Sequence, residues 1–127
     1  MLKKSKAFSG FSVNDISKAK QFYSEILGLD VRDKSMGLIE LQIEGGNHII
    51  IYPKPNHIPA TFTILNFPVK DIEETVDGLI KKGITFEQYD GQITTDAKGI
   101  CRSGGKGPNI AWFKDPSGNI LSLIEEK

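Results

Sequence analysis

The chain has 127 residues, with 39% hydrophobic and 25% charged residues, the length and balance of one domain with a buried core. Sixteen basic and sixteen acidic residues give a formal net charge of +0, which removes the electrostatic case for a nucleic-acid partner. No apolar run reaches membrane-spanning length, and MLKKSKAFSG has no apolar stretch behind its lysines, so neither a membrane span nor a secretory signal is expected.

Lys3, Lys4 and Lys6 read as a solvated basic start. The first strand-like run is KAFSGFSV, followed by VNDI at Val13–Ile16. Asp15 is a natural N-cap, because its short carboxylate can accept from amides of the first helical turn. The helix is predicted from Ile16 to Leu27, with Ile16, Ala19, Tyr23, Ile26 and Leu27 on one stripe, Phe22 widening it and Gly28 ending it. Strands follow at Leu29–Asp33, Leu38–Ile43 and His48–Tyr52, the last two joined by a hairpin turn at Gly45–Asn47. YPKPNHIPA then supplies three prolines, a stiff connector over residues 53–59.

The plan repeats. TFTILNFPV precedes VKDI at Val69–Ile72, and Asp71 with Glu74 makes a capping-box pattern. Ile72, Val76, Leu79 and Ile80 form the second stripe, and Gly83 ends it. Strands are expected at Ile84–Glu87, Gly99–Ser103, Asn109–Lys114 and Ile120–Ile124, with PSGN as the last hairpin turn. The offset that carries Gly118-Asn119 back to Gly46-Asn47 differs from the offset between the VxDI motifs. The second half is therefore longer, by the polar segments DGQITTDAKG and RSGGKG. Two β-α-β-β-β modules, residues 1–55 and 60–127, make the expected α+β fold as one domain. Cys101 is the only cysteine, which excludes an internal disulfide and suits a reducing cytoplasm.

VNDISKAKQFYSEILGL and AWFKDPSGNILSL, taken with the repeat, resemble the vicinal oxygen chelate superfamily. That group includes glyoxalases, extradiol dioxygenases, fosfomycin-modifying enzymes and bleomycin-binding resistance proteins. The resemblance implies a curved mixed sheet around a pocket, and modules that often pair across chains, hence a homodimer. Metal-dependent members hold their ion with His and Glu on pocket-facing strands. The matching positions here are Phe8, seven residues ahead of Asp15, its counterpart Ile64, the late Ser122 where a glutamate is usual, and Ile50 as its first-half match. None is a strong donor, and a stable divalent site wants three or four. No metal and no cofactor are therefore expected, although His48, Glu40 and Gln42 leave a non-standard site open.

Period-two alternation places Phe8, Gly10 and Ser12 on one face, Phe62, Ile64 and Asn66 on another, and groups His48 and Tyr52 with Ile50. His48 has three readings: metal ligand, contact to an organic ligand, or structural residue. His57, in the connector, is read as a connector residue or a ligand contact. Tyr89 and Trp112 are candidate aromatic walls. Arg102 is a candidate anchor for a carboxylate or phosphate, or a solvated arginine. GKGPN lacks the pattern of a phosphate-binding loop. The expected ligand set is Phe8, His48, Ile50, Tyr52, Ile64, Asn66, Tyr89, Arg102, Trp112 and Ser122, around a small organic molecule. The alternative is a lyase, isomerase or oxygenase with a non-standard site.

Overall fold

Each half of the chain starts its helix on an aspartate. In the computed structural model, which describes residues 1–126, Asp15 Oδ1 accepts from the Lys18 amide at 3.0 Å and Asp71 Oδ1 from the Glu74 amide at 3.1 Å. Lys127, the last residue of the predicted second module, lies outside the described residues. The chain divides into two compact units, the first Met1–Pro59 and the second beginning at Ala60.

In unit 1, strand β1 (Gly10–Val13) leads to helix α1 (Ile16–Gln21). The predicted helix continues to Ile26, but as a π turn over Phe22–Ile26, closed by the Leu27 amide on the Phe22 carbonyl at 3.0 Å. The wider turn lets two consecutive aromatics, Phe22 and Tyr23, both bury, with ring centroids 5.1 Å apart edge to face. Strands β2 (Val31–Asp33), β3 (Ile39–Leu41) and β4 (Ile49–Pro53) follow, in the sheet order β1-β4-β3-β2. Pro53, assigned above to the connector, closes β4 opposite Val13.

The register sorts the two faces of this sheet. Ile39 and Leu41 stand opposite Ile51 and Ile49, and all four are buried. Between them Gly10, Ile50, Glu40 and Arg32 form a straight row across all four strands on the opposite face. The aliphatic four, with Val13, Ala19, Phe22 and Tyr23, form the core of unit 1. The large aliphatic side chains and Phe22 each contribute roughly 1.5–3 kcal/mol by leaving water, and Ala19 less.

Unit 2 repeats the arrangement with β5 (Thr63–Val69), α2 (Ile72–Lys81), β6 (Ile100–Cys101), β7 (Ile110–Lys114) and β8 (Ile120–Glu125), in the order β5-β8-β7-β6. Ile72 and Val76 bury from α2, whereas Ile80, predicted on the same stripe, is exposed. Gly83 takes φ +100°, and the Ile84 amide then reaches back to the Leu79 carbonyl at 3.0 Å, a Schellman closure. At the other end of α2, the Ile72 amide donates to Glu125 Oε2 at 3.0 Å, so the end of β8 helps cap the helix.

Two predicted strands shrink for one reason. Phe86 bridges to Phe113 and the Glu87 amide donates to the Trp112 carbonyl at 2.8 Å, while β6 pairs only with Ile110 and Ala111. One edge of β7 is thus shared by two segments. Residues 84–87 form only a bridge, and the predicted 99–103 strand keeps two residues. The loop between them is tied to α2 by charge. Lys98 Nζ lies 2.9 Å from Asp77, and Arg102 engages both Glu73 and Asp96.

The DPSGN turn is closed by its own side chains. Asp115 Oδ1 accepts from the Ser117 and Asn119 amides, each at 2.9 Å, and Oδ2 from Asn119 Nδ2 at 2.9 Å. Asp115 and Asn119 are both buried. Asp115→Ala leaves those donors unmet and is expected to destabilise the protein by about 3 kcal/mol in urea unfolding, with Asp115→Asn costing less. A second measurement concerns pH. Burial alone would raise the Asp96 pKa, but the Ile100 and Lys98 amides and the Arg102 guanidinium outweigh it and hold the carboxyl below its ordinary 3.8. A depressed folded pKa means that this contribution is present above 3.8 and fades as pH falls through the folded value. Asp96→Asn should therefore lower stability at neutral pH by no more than about 1 kcal/mol and shrink that difference in strong acid.

Candidate functional site

In unit 1 the row Gly10, Ile50, Glu40 adjoins a hollow of about 190 Å³ lined by Lys6, Phe8, Glu40, Asn47, His48 and Ile50. The segment ahead of β1 reaches it because β4 and its turn hold it there. The Ile50 amide donates to the Ser9 carbonyl at 3.1 Å and Asn47 Nδ2 to the Ala7 carbonyl at 2.5 Å. Phe8, predicted on the first strand, lies just ahead of β1 with 66% of its surface exposed. His48 Nδ1 accepts from the Ile43 amide at 3.2 Å, and Glu40 Oε1 accepts from Gln42 Nε2 at 2.6 Å. Of the predicted set, Phe8, His48 and Ile50 are thereby brought together.

Tyr52 is exposed further along β4, opposite Ser12. Ser12 Oγ and His57 Nδ1 are 2.6 Å apart. The hydrogen bond returns the connector histidine to β1, an attachment that its place between two prolines did not suggest.

Unit 2 has the corresponding row, Asn66, Ser122 and Trp112. Ser122 has no exposed surface, and its hydroxyl donates to Asn66 Oδ1 at 2.5 Å. The hydroxyl among aliphatic neighbours is satisfied by an amide, and Asn66 carries the exposed end of the pair. Trp112 Nε1 donates to Thr63 Oγ1 at 3.2 Å, and the Tyr89 ring meets the indole edge to face at 5.6 Å.

Two predicted contacts change. A bulge between Thr63 and Leu65 leaves Ile64 without a cross-strand partner, and Thr63 stands beside Ile120, so the alternation that grouped Ile64 with Asn66 is broken. Arg102 does not join the Asn66, Ser122, Trp112 row. Its guanidinium is engaged by Glu73 of α2 and by Asp96, and the Glu73 hydrogen bond is the first cause of its raised pKa. Of the two readings of Arg102, anion anchor or solvated arginine, the structure shows neither as such: the carboxylates of its own unit supply the anions.

Lys6 and Asn47 line the hollow although the sequence reading made the first a solvated terminus and the second a turn residue. Continuing the alternation of Ser12, Gly10 and Phe8 by one more step reaches Lys6, and that was the available signal.

The donor chemistry does not fit the metal held by metal-dependent relatives. Phe8, Ile50 and Ile64 have no donor atom in their side chains, and the Ser122 hydroxyl is neutral, buried and hydrogen-bonded. His48 and Glu40 supply two strong donors to the hollow, and among the described residues no group of three or more His, Cys, Asp and Glu side chains is placed to hold an ion.

No curated protein matches the chain. Among solved structures, the chain is similar to TnmS3, an antibiotic binding protein from Streptomyces sp. CB03234, at 20% identity and TM-score 0.70 over 100% of this chain and 99% of that one. It is similar to a member of the glyoxalase/bleomycin resistance protein/dioxygenase superfamily from Sphaerobacter thermophilus DSM 20745, at 22% identity and TM-score 0.71 over 99% and 100% of the two chains. An integron cassette protein from the mobile metagenome of V. cholerae aligns at 20% identity and TM-score 0.67 over 100% and 98%. At these identities the likeness is one of fold. A family model matches residues 8–123, from Phe8 at the hollow to Leu123 beside the buried serine, and on that match the chain belongs to the Glyoxalase/Bleomycin resistance protein/Dioxygenase superfamily.

Proposed function

We propose that the protein binds a small organic molecule without a metal, in the manner of the bleomycin-binding resistance proteins that its sequence resembles. The observation that carries the proposal is the chemistry of the two rows. Where metal-dependent relatives place ligands, this chain has apolar side chains and a serine bonded to an asparagine. Around them stand aromatic rings, aliphatic surface and a few polar groups, the mixture that suits organic ligands. A neighbour of the same fold whose name is antibiotic binding protein supports the same direction. In unit 1 the candidate contacts are Phe8, His48, Ile50 and Tyr52; in unit 2, taken by itself, Asn66, Tyr89 and Trp112 form a separate candidate surface.

A second, enzymatic reading rests on one observation: His48 and Glu40 line the same hollow. With water or substrate oxygens completing the shell, they would have to hold an ion at a non-standard site. We further propose that the modules, residues 1–55 and 60–127, work as one domain, and that two copies associate as a homodimer in the cytoplasm. Each four-stranded sheet has two edge strands, which favour a partner. No helix among the described residues is long and apolar enough to cross a membrane.

A melting screen against metabolites and antibiotics tests the binding reading. A ligand at a hundred times its Kd should stabilise the fold by about 2.7 kcal/mol, a rise on the order of 10 °C for a domain of this size. Elemental analysis of protein purified without chelator or metal-binding tag separates the two readings. Background metal supports binding, whereas one equivalent of zinc, nickel, iron or manganese, lost in His48→Ala, supports the enzyme. Light scattering at micromolar concentration should give twice the monomer mass, and a monomer mass would remove the dimer.

A further inference from the structure

We infer that the hollow of unit 1 takes a single-ring organic acid, whose carboxylate meets Lys6 and His48 and whose opposite end donates a hydrogen bond to Glu40. The inference rests on the small-molecule reading above and narrows its ligand class. Size comes first. The hollow holds about 190 Å³, less than the roughly 300 Å³ at which pockets for drug-sized ligands begin. Its apolar surface comes from Phe8 and Ile50, and the Phe8 ring, 66% exposed, has area to give to a flat partner.

Charge and hydrogen bonding then select the polar groups. None of the ion pairs among the described residues engages Lys6, which lines the hollow together with Glu40 but forms no salt bridge with it. Glu40 is oriented rather than neutralised: its Oε1 takes the Gln42 amide, while Arg32, opposite on β2, is paired with Asp30. The lining thus carries one cation and one carboxylate, and the carboxylate of an organic acid answers the cation. His48 adds a donor. With Nδ1 accepting from the Ile43 amide, the ring proton of the neutral tautomer sits on Nε2, which leaves an N–H to offer. Glu40 Oε2 remains as an acceptor, so a hydroxyl or amino group on the far side of the ring completes the match. Asn47 Nδ2 is already bonded to the Ala7 carbonyl and holds the Lys6–Phe8 segment in place.

The test uses the full chain and three probes of one shape: 4-hydroxybenzoate, its neutral amide 4-hydroxybenzamide and the cation 4-hydroxybenzylamine. Amide and side-chain NMR titrations follow Phe8, His48 and Ile50. The acid is expected to bind about fivefold tighter than the amide, the scale of one partly exposed ion pair. High salt and Lys6→Met should each remove most of that advantage. Lys6 is exposed, so the variant is expected to fold, and its unchanged melting temperature is the control. Equal or tighter binding of the amide or the amine, or an acid preference that survives Lys6→Met, overturns the inference while leaving the small-molecule reading intact. Binding of none of the three probes also overturns it, and the wider melting screen then judges the broader reading separately.

Discussion

In each unit the first strand runs parallel to the last, β1 beside β4 and β5 beside β8. A hairpin cannot close a parallel pair, so the chain must leave the sheet, cross over it and return. The crossover begins with a helix, α1 in unit 1 and α2 in unit 2. Once a helix covers one face, the strand residues divide into two sets by alternation. Ile39, Leu41, Ile49 and Ile51 in unit 1, and Ala111, Phe113, Leu121 and Leu123 in unit 2, become core. The rows between them are released from the hydrophobic requirement and are where chemistry can vary. The repeat that is faint in the sequence becomes a match of geometry here, with Gly10, Ile50 and Glu40 in one unit answering Asn66, Ser122 and Trp112 in the other.

The contents of those rows decide what the protein can hold. A divalent ion needs several donors converging at fixed distances, and losing even one or two from the set leaves it weakly bound. An organic ligand tolerates a looser set, because area contributes as well as direction. The rows here offer aliphatic and aromatic surface with separate polar groups, each already oriented by a neighbour. Glu40 is set by Gln42, His48 by the Ile43 amide, Trp112 by Thr63 and Tyr89. Side chains fixed in this way lose less freedom when a ligand arrives.

Charge is handled differently on the helix side of unit 2. Glu73 and Asp77 of α2 meet Lys98 and Arg102, and Asp96 completes the group. These pairs are exposed enough that each adds little stability. Together they hold the loop ahead of β6 against the helix, and they keep Arg102 away from the row that might have used it.

Some of the protein was determined by the sequence alone, because the interactions concerned span only a few residues. Asp15, Asp71 and the DPSGN turn act on amides within four positions of themselves, so their types and spacing suffice. The absence of strong donors at Phe8, Ile50, Ile64 and Ser122 is likewise a property of the side chains and needs no coordinates. Other features belong to contacts between segments far apart in the chain. The bulge at Ile64 exists because β5 must fit β8, and the sharing of one β7 edge by residues 86–87 and by β6 is a competition that neither segment encodes. Lys6 gains its place through its neighbour Ala7, held by Asn47 forty residues away from it, and Ser12 gains His57 across forty-five. Arg102 is drawn to Glu73 because α2 packs where it does. Local hydrogen bonds are written in neighbouring residues, whereas register and long-range pairing emerge only when the whole sheet has closed.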